Sequence, residues 1–139
     1  MGEVFVFHVI FACVHNAGRS QMAAALFNAV CDPMRARASS AGTIPANRVH
    51  PEVVEVMREV GIDLSDASPA RLTPQLAATA DLLVTMGCGD ECPVVPGLRR
   101  TDWPIPDPKG QRPERVREIR DRIAGLVNGL VAREGVQRG

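Results

Sequence analysis

Residues 4–20, VFVFHVIFACVHNAGRS, join a run of apolar and β-branched side chains to a short polar turn. Residues 4–12 are apolar except for one histidine and show almost no alternation, which is typical of a strand buried on both faces of a parallel sheet. Residues 16–18 interrupt this pattern, and apolar side chains then recur at helical spacing over residues 19–31. The segment therefore predicts a strand, a tight turn and a helix in succession.

The rest of the chain continues to alternate strands with helices. Further strands are predicted at residues 35–40, 82–86 and 99–102. Further helices are predicted from Pro51 to a C-terminal cap at Gly61, from a cap at Thr73 to about Ala80, and over the apolar positions from Val116 to Leu130. This order predicts an α/β fold with a parallel sheet, whose site lies in the loops at the carboxyl ends of the strands.

Length and composition favour one ordinary globular domain spanning residues 1–139. The 139 residues are 45% hydrophobic and 23% charged, and 16 basic residues balance 16 acidic ones. A net charge of zero gives no general attraction for nucleic acid or an acidic membrane, so neither is expected as a partner. The apolar run at residues 4–12 is too short to span a bilayer, and Glu3 stands where a signal peptide carries a basic residue. We expect a cytoplasmic protein.

The polar turn has the pattern Cys-x5-Arg-Ser. Its residues are Cys13, Val14, His15, Asn16, Ala17, Gly18, Arg19 and Ser20. Backbone N–H groups at the start of a helix can surround a tetrahedral oxyanion, and Arg19 can hold two of its oxygens. The same positive surroundings favour the thiolate form of Cys13, which makes it a candidate nucleophile. Ser20 can donate a hydrogen bond to that thiolate and Asn16 can tie the turn together, while the alternative is an inert cysteine in an ordinary turn.

This turn, near the N-terminus of the chain, resembles the low-molecular-weight protein tyrosine phosphatase superfamily, and within it the arsenate reductases of that fold. Three further stretches share the resemblance, namely residues 41–45, 57–63 and 84–90. The resemblance implies a four-stranded parallel sheet in three layers, with helices on both faces. It also implies that Cys13 is the nucleophile and that the reaction needs no cofactor.

A proline- and glycine-rich segment, residues 87–113, supplies a candidate acid. In the family, an aspartate followed by proline is the general acid, and the resemblance gives this role to Asp107, which would protonate an oxygen leaving arsenic or phosphorus. Asp102 is a rival, and a turn-forming Asp-Pro pair is the structural alternative. Unlike the tyrosine phosphatases, the chain has no aromatic residue directly after Pro108 and no tyrosine at all. Trp103 is the remaining candidate for an aromatic wall.

Cys88 and Cys92 lie in the same segment. Arsenate reduction needs two electrons, so a second thiol must attack the Cys13–arsenic adduct, and a third can carry the disulfide onward. The resemblance to thioredoxin-coupled reductases implies that Cys88 resolves the adduct and Cys92 acts next, although their Cys-x3-Cys spacing is shorter than in the best-known members. An external thiol such as mycothiol, with a mycoredoxin-type partner, is the alternative. A zinc site is a further alternative for this cysteine pair, but the histidines offer no second spaced pair of ligands. Cys31 is expected to be an inert core thiol.

Three functions follow from these residues. The first is thiol-dependent reduction of arsenate to arsenite, with an arsenate or phosphate oxyanion and a thioredoxin- or mycothiol-type reductant as partners of a monomer. The second is hydrolysis of phosphomonoesters, including phosphotyrosine, through a Cys13 phosphoenzyme. Both activities can coexist because arsenate and phosphate share tetrahedral geometry. The third is a non-catalytic oxyanion sensor or arsenite-binding protein, which would have no use for a general acid.

Overall fold

The computed structural model describes residues 5–87 and 95–138. Within them, four parallel strands form one sheet in the order β2-β1-β3-β4. The strands are β1 (Phe7–Cys13), β2 (Ala36–Gly42), β3 (Leu82–Thr85) and β4 (Arg99–Asp102). The helices are α1 (Arg19–Val30), α2 (Pro51–Arg58), α3 (Pro74–Ala77) and α4 (Pro113–Glu134). The predicted α/β class and parallel sheet are confirmed.

The central strand β1 divides the core into two layers, because its successive side chains point to opposite faces of the sheet. All seven of its residues are buried. On one face, Val9 and Phe11 pack into the larger core cluster, to which α1, α2 and α4 also contribute. On the other face, Ile10 and Ala12 pack into a smaller cluster that includes Ala77 of α3. Helices therefore cover both faces, as the predicted three-layer arrangement requires.

The observed ends of several elements differ from the predicted ones. Strand β2 runs to Gly42 and not to residue 40, because residues 41 and 42 continue the pairing with β1. Helix α1 ends at Val30, α3 ends at Ala77 and not near residue 80, and β3 ends at Thr85. The predicted cap at Gly61 is confirmed, since its φ is +82° and the N–H of Ile62 donates to the Met57 carbonyl at 3.0 Å. The extension of β2 comes from long-range pairing, which a local pattern does not record.

No helix in the described ranges combines the length and the hydropathy that crossing a membrane requires.

Gly42 closes β2 against the turn that follows β1. A Cβ at this position would stand 2.6 Å from the Val14 carbonyl oxygen and 2.9 Å from the Asn16 backbone nitrogen. Both neighbours are backbone atoms, so neither can move aside as a flexible side chain could. A glycine is therefore required for the end of β2 to approach the turn this closely.

We expect Gly42→Ala to lower the free energy of unfolding by about 1–3 kcal/mol, the usual cost of overpacking. Gly125→Ala is the matched control, because Gly125 lies inside α4 and an added Cβ would meet no described atom within 4 Å beyond the helix's own nearby backbone. That variant should gain about 0.5–1 kcal/mol from the better helix propensity of alanine. Urea unfolding measures both, and equal effects of the two substitutions would contradict the proposed close packing at Gly42.

His8 is a buried polar residue on β1, with 3% of its surface exposed. Its Nδ1 lies 3.1 Å from the Thr79 carbonyl oxygen and its Nε2 lies 2.9 Å from the Ser39 hydroxyl. Burial lowers the pKa of His8, and nearby Arg37 lowers it further, while the bond to Thr79 and the charge of Asp81 oppose the shift. The folded chain therefore holds His8 in its neutral form.

The lowered pKa of His8 predicts a pH dependence of stability. The unfolded chain binds this proton more readily than the folded chain, so the contribution is complete above the unfolded pKa of about 6.5 and is lost as the pH falls below it. One such proton changes the unfolding free energy by at most about 1.4 kcal/mol per pH unit. Urea unfolding between pH 7.5 and 5 should show a shallower slope for His8→Gln than for the unsubstituted chain; identical slopes would refute this assignment.

Candidate active site

The candidate site lies at the carboxyl end of β1, where the chain changes from adding strands on one side of β1 to adding them on the other. Strand β2 pairs with one edge of β1 and β3 pairs with the other, so the loops leaving these strands diverge and open a crevice. Residues 13–18 enter this crevice as the connection from β1 to α1. The sheet therefore sets the position of the Cys-x5-Arg-Ser turn before any side chain contributes.

Cys13, Ser20 and Asn16 form a buried hydrogen-bonded chain. The Cys13 Sγ lies 2.9 Å from the Ser20 Oγ, and the Asn16 Nδ2 donates to the same oxygen at 2.7 Å. An amide nitrogen can only donate, so the Ser20 oxygen accepts from Asn16, and the Ser20 hydroxyl hydrogen remains able to bond to the sulfur. With Cys13 as a thiolate, which has no hydrogen to give, Ser20 is the donor of this bond.

Asn16 also fixes the backbone of the turn. Its φ is +51°, the left-handed region that asparagine tolerates better than most residues. Its Oδ1 accepts from the Ala70 backbone N–H at 2.9 Å and from the Gln21 Nε2 at 3.2 Å. Gln21 reaches across to the Ser68 carbonyl as well, at 3.3 Å. Sequence reasoning missed Gln21, whose signal would have been a glutamine on the apolar face of a helix, where it is 6% exposed.

The carbonyl groups of the turn bond to a neighbouring segment. The Val14 carbonyl accepts from the Ile44 N–H at 2.8 Å, and the His15 carbonyl accepts from the Ala46 N–H at 2.9 Å. The Ala17 carbonyl accepts from the His50 N–H at 2.9 Å. These carbonyls are therefore engaged outside the turn, which is the orientation that a cradle of backbone N–H groups around an oxyanion needs.

Arg19 and Asp107 both line the cleft beside the turn. The Arg19 Nη1 donates to the Ile105 carbonyl at 2.9 Å, two residues before Asp107. Pro108 packs over the turn, since a Cβ on Gly18 would lie 2.8 Å from its Cγ. Asp107 itself is exposed, and its Oδ1 accepts from the Lys109 backbone N–H at 3.0 Å. The predicted nucleophile and the predicted acid thus border the same space.

These residues enclose a narrow cleft with about 190 Å³ of empty volume. It is lined by Cys13, His15, Ala17, Gly18, Arg19, His50 and Asp107. Three of the predicted oxyanion-binding residues do not line the cleft, namely Val14, Asn16 and Ser20. The rival acid Asp102 does not line it either, because its Oδ1 accepts a hydrogen bond from Thr85 Oγ1 at 2.8 Å at the end of β4.

Among the residues that the structure describes, no Phe or Trp side chain lines this cleft. The expectation that Trp103 could supply a wall is wrong: its side chain is 7% exposed and its ring centroid lies 5.5 Å from that of Phe11, inside the core. His50 was missed as a lining residue, and only its place immediately before Pro51 at the start of α2 could have drawn attention to it. His15 is half-buried, with its Nδ1 3.0 Å from the Ile44 carbonyl oxygen.

Cys88 and Cys92 lie outside the described residues, so their predicted roles stay predictions. Cys31 is a free thiol, 1% exposed, and burial raises its pKa, in keeping with the predicted core position. Among the residues that the structure describes, no three His, Cys, Asp or Glu side chains come together as a metal site would require.

Comparisons with known proteins agree with this geometry. The family model for the low molecular weight phosphotyrosine protein phosphatases matches residues 8–138. A protein of Halobacterium salinarum named "Putative arsenate reductase" is 42% identical over 124 residues, which cover 86% of this chain and 87% of that protein.

Two solved structures share the fold. The thioredoxin-dependent arsenate reductase of Corynebacterium glutamicum is 40% identical with a TM-score of 0.77; the match covers 91% of this chain and 60% of that one, so this chain spans well under the whole length of that reductase. The low molecular weight protein tyrosine phosphatase of T. tengcongensis is 26% identical with a TM-score of 0.80, over 91% of this chain and 99% of that one.

The hydrogen bond from Ser20 to the Cys13 sulfur predicts an effect on thiol reactivity. Hydrogen bonds to charged groups are worth about 1.5–3 kcal/mol, so Ser20→Ala should slow alkylation of Cys13 at pH 7 at least about tenfold. Peptide mapping by mass spectrometry after timed exposure to iodoacetamide measures this rate. Ser20→Thr keeps the hydroxyl and serves as the control, and an unchanged rate in Ser20→Ala would show that the bond does not favour the thiolate.

Proposed function

Because the chain belongs to the low molecular weight phosphotyrosine protein phosphatase family, an enzyme family whose members similar to this chain include arsenate reductases, we propose that it reduces arsenate to arsenite. The catalytic residues in this proposal are Cys13, Arg19 and Asp107, joined by Cys88 and Cys92 as further thiols. The backbone of residues 14–20 binds the oxyanion. The chain works as one catalytic domain over residues 1–139, and as a monomer.

The shape of the cleft is the observation that carries this proposal. Its volume, about 10 Å³ for the centre of a water-sized sphere, is far below the usual 300–1,000 Å³ of pockets that bind drug-sized molecules. A tetrahedral inorganic oxyanion needs only backbone N–H groups and a guanidinium, and Arg19 lines the same cleft as Cys13. An aryl phosphate would need a wall for its ring, and within residues 5–87 and 95–138 no Phe or Trp side chain lines the cleft.

The first chemical step joins Cys13 to arsenic. The Cys13 thiolate attacks arsenate in line, a sulfur–arsenic bond forms, and one oxygen of arsenate leaves with a proton from Asp107 as water or hydroxide. Arg19 and the turn N–H groups stabilise the negative charge of the remaining oxygens. Asp107 is exposed, so it can recover its proton from solvent.

The second step transfers two electrons. A second thiolate attacks the Cys13 sulfur, a disulfide forms, and the electron pair of the sulfur–arsenic bond remains on arsenic, which leaves as arsenite. Two thiols are oxidised and one As(V) is reduced to As(III), so the electrons balance. We propose Cys88 as this second thiol and Cys92 as the third, with a thioredoxin-type protein as the final reductant. A mycothiol-type small thiol is the alternative second thiol.

The redox chemistry also supports a cellular compartment for the protein. Cys13 must return to its thiol form after every turnover, and a reducing compartment maintains thiols in that form. We therefore propose that the protein works in the cytoplasm.

A phosphatase is the second candidate function, and a specific observation favours it. Cys13, Arg19 and Asp107 border one cleft, and they are the groups that a phosphoenzyme mechanism would use. Phosphomonoester hydrolysis would require those three residues but neither Cys88 nor Cys92. A sensor without catalysis is the least favoured, because Asp107 at the cleft has no role in simple binding.

The test is a single turnover of the fully reduced chain with arsenate and no external thiol. We expect about one arsenite released and two thiols lost per chain, as the mechanism requires. Cys13→Ser should release no arsenite, whereas Cys88→Ser should stop disulfide formation within the chain. Cys31→Ser is the matched control, because Cys31 is buried in the core away from the cleft, and it should behave as the unsubstituted chain does.

The other outcomes separate the alternatives. Arsenite release only after mycothiol is added would replace Cys88 by an external thiol. Failure to release arsenite under either condition would contradict the reductase, and Cys13-dependent hydrolysis of a chromogenic aryl phosphate would then support the phosphatase.

A further inference from the structure

Gly87 lies directly against the guanidinium of Arg19. A Cβ built on Gly87 would collide with the Arg19 Nη1 and would stand 3.3 Å from its Cζ and 3.6 Å from its Nη2. The φ of Gly87 is +95°, so the backbone here also favours glycine. The residue before it, Met86, is fully buried, and its N–H donates to the Ala12 carbonyl at 2.7 Å, so Gly87 follows directly on a segment held against β1.

A second constraint on the Arg19 side chain comes from the loop that carries the proposed acid Asp107. The Arg19 Nη1 donates to the carbonyl of Ile105, whose side chain is buried. This contact uses one nitrogen of the guanidinium and leaves the edge formed by Nε and Nη2. That edge presents two parallel N–H groups, the geometry that binds two oxygens of one oxyanion.

We propose that Gly87 is a positioning residue for oxyanion binding. The absence of a side chain at position 87 provides the space in which the Arg19 guanidinium lies, and the Ile105 carbonyl fixes its rotation. Together they hold Arg19 ready for a bidentate contact before the oxyanion arrives, so less conformational entropy is lost on binding. The inference rests on the proposed function, since it concerns the same oxyanion.

A purely backbone role for Gly87 is the competing explanation, because its positive φ alone would favour glycine. Gly97 separates the two explanations. Its φ is +80°, yet no atom of the described residues lies within 4 Å of an added Cβ. Gly97→Ala therefore introduces a similar backbone strain with no contact, while Gly87→Ala introduces the strain and displaces Arg19.

The experiment measures the affinity of the reduced chain for inorganic phosphate by calorimetric titration, with urea unfolding as the check on folding. We expect Gly87→Ala to weaken phosphate binding by about tenfold or more, the effect of losing one charge-assisted hydrogen bond. Gly97→Ala should change the affinity less than about twofold, since surface positions away from the site rarely matter more than this.

A double-mutant cycle then tests whether Gly87 acts through Arg19. Arg19→Lys removes the planar fork, so adding Gly87→Ala to it should weaken phosphate binding by less than about threefold, because little of the bidentate contact is left to lose. The same tenfold loss in both backgrounds would overturn the inference, as would equal affinities of Gly87→Ala and Gly97→Ala.

One further measurement uses the unsubstituted chain, so it does not depend on whether a variant at position 87 folds. The Nη1 and Nη2 groups of Arg19, assigned with Arg19→Lys, should give separate signals in ¹⁵N spectra before phosphate is added, because the bond from Nη1 to the Ile105 carbonyl slows rotation about the Nε–Cζ bond. A single averaged Nη signal would contradict a pre-positioned guanidinium. Absence of phosphate binding by the unsubstituted chain would contradict the proposed function as well, whereas equal phosphate affinities of Gly87→Ala and the unsubstituted chain would contradict this inference alone.

Discussion

The site depends on the hydrogen bonds that the side-chain amide of Asn16 makes. Its nitrogen orients the Ser20 hydroxyl toward the sulfur of Cys13, and its oxygen accepts from the backbone of Ala70 and from Gln21. One side chain thus joins the turn, the start of α1 and a distant segment of the chain. Asn16, Ser20 and Gln21 are buried, so an amide at position 16 with one missing partner would be costly.

The sheet makes this arrangement possible, because it brings the turn and its supports to one edge. Strand β1 is buried along its whole length and pairs on both sides, which fixes its end at Cys13. Gly42 at the end of β2 allows the turn to approach closely. Backbone N–H groups within residues 44–50 then donate hydrogen bonds to the turn carbonyls. The chemistry at Cys13 is therefore built largely from backbone groups, with few side chains of its own.

Local sequence patterns predicted a large part of this structure. The start of α1 at Arg19, the cap at Gly61 and the strand Arg99–Asp102 all follow from short-range signals, and the structure confirms them. The Thr73 cap is also confirmed, since its Oγ1 accepts from the Leu76 N–H at 3.0 Å. The placement of the cysteine turn at the end of a buried strand was predicted for the same reason, because strand, turn and helix are adjacent in the chain.

What the sequence did not predict depends on contacts between distant segments. Gln21 bonds to Ser68, 47 positions away, and Arg19 bonds to Ile105, 86 positions away. Trp103 was the remaining candidate for an aromatic wall of the cleft, but its ring packs against Phe11 in the core. No local pattern distinguishes a tryptophan that lines a cleft from one that fills a core.

The depth of the nucleophile has a consequence for how reducing equivalents reach it. Cys13 is 2% exposed and lines a narrow cleft. The surface of a folded protein cannot reach a thiol this deeply buried. In the proposed reduction, a protein that donates electrons would therefore have to exchange its disulfide at some other sulfur, so that the oxyanion and the protein partner would bind at separate places. Burial of one thiol would thus divide the proposed reaction into a sequence of transfers, each of which could be selected for a different partner.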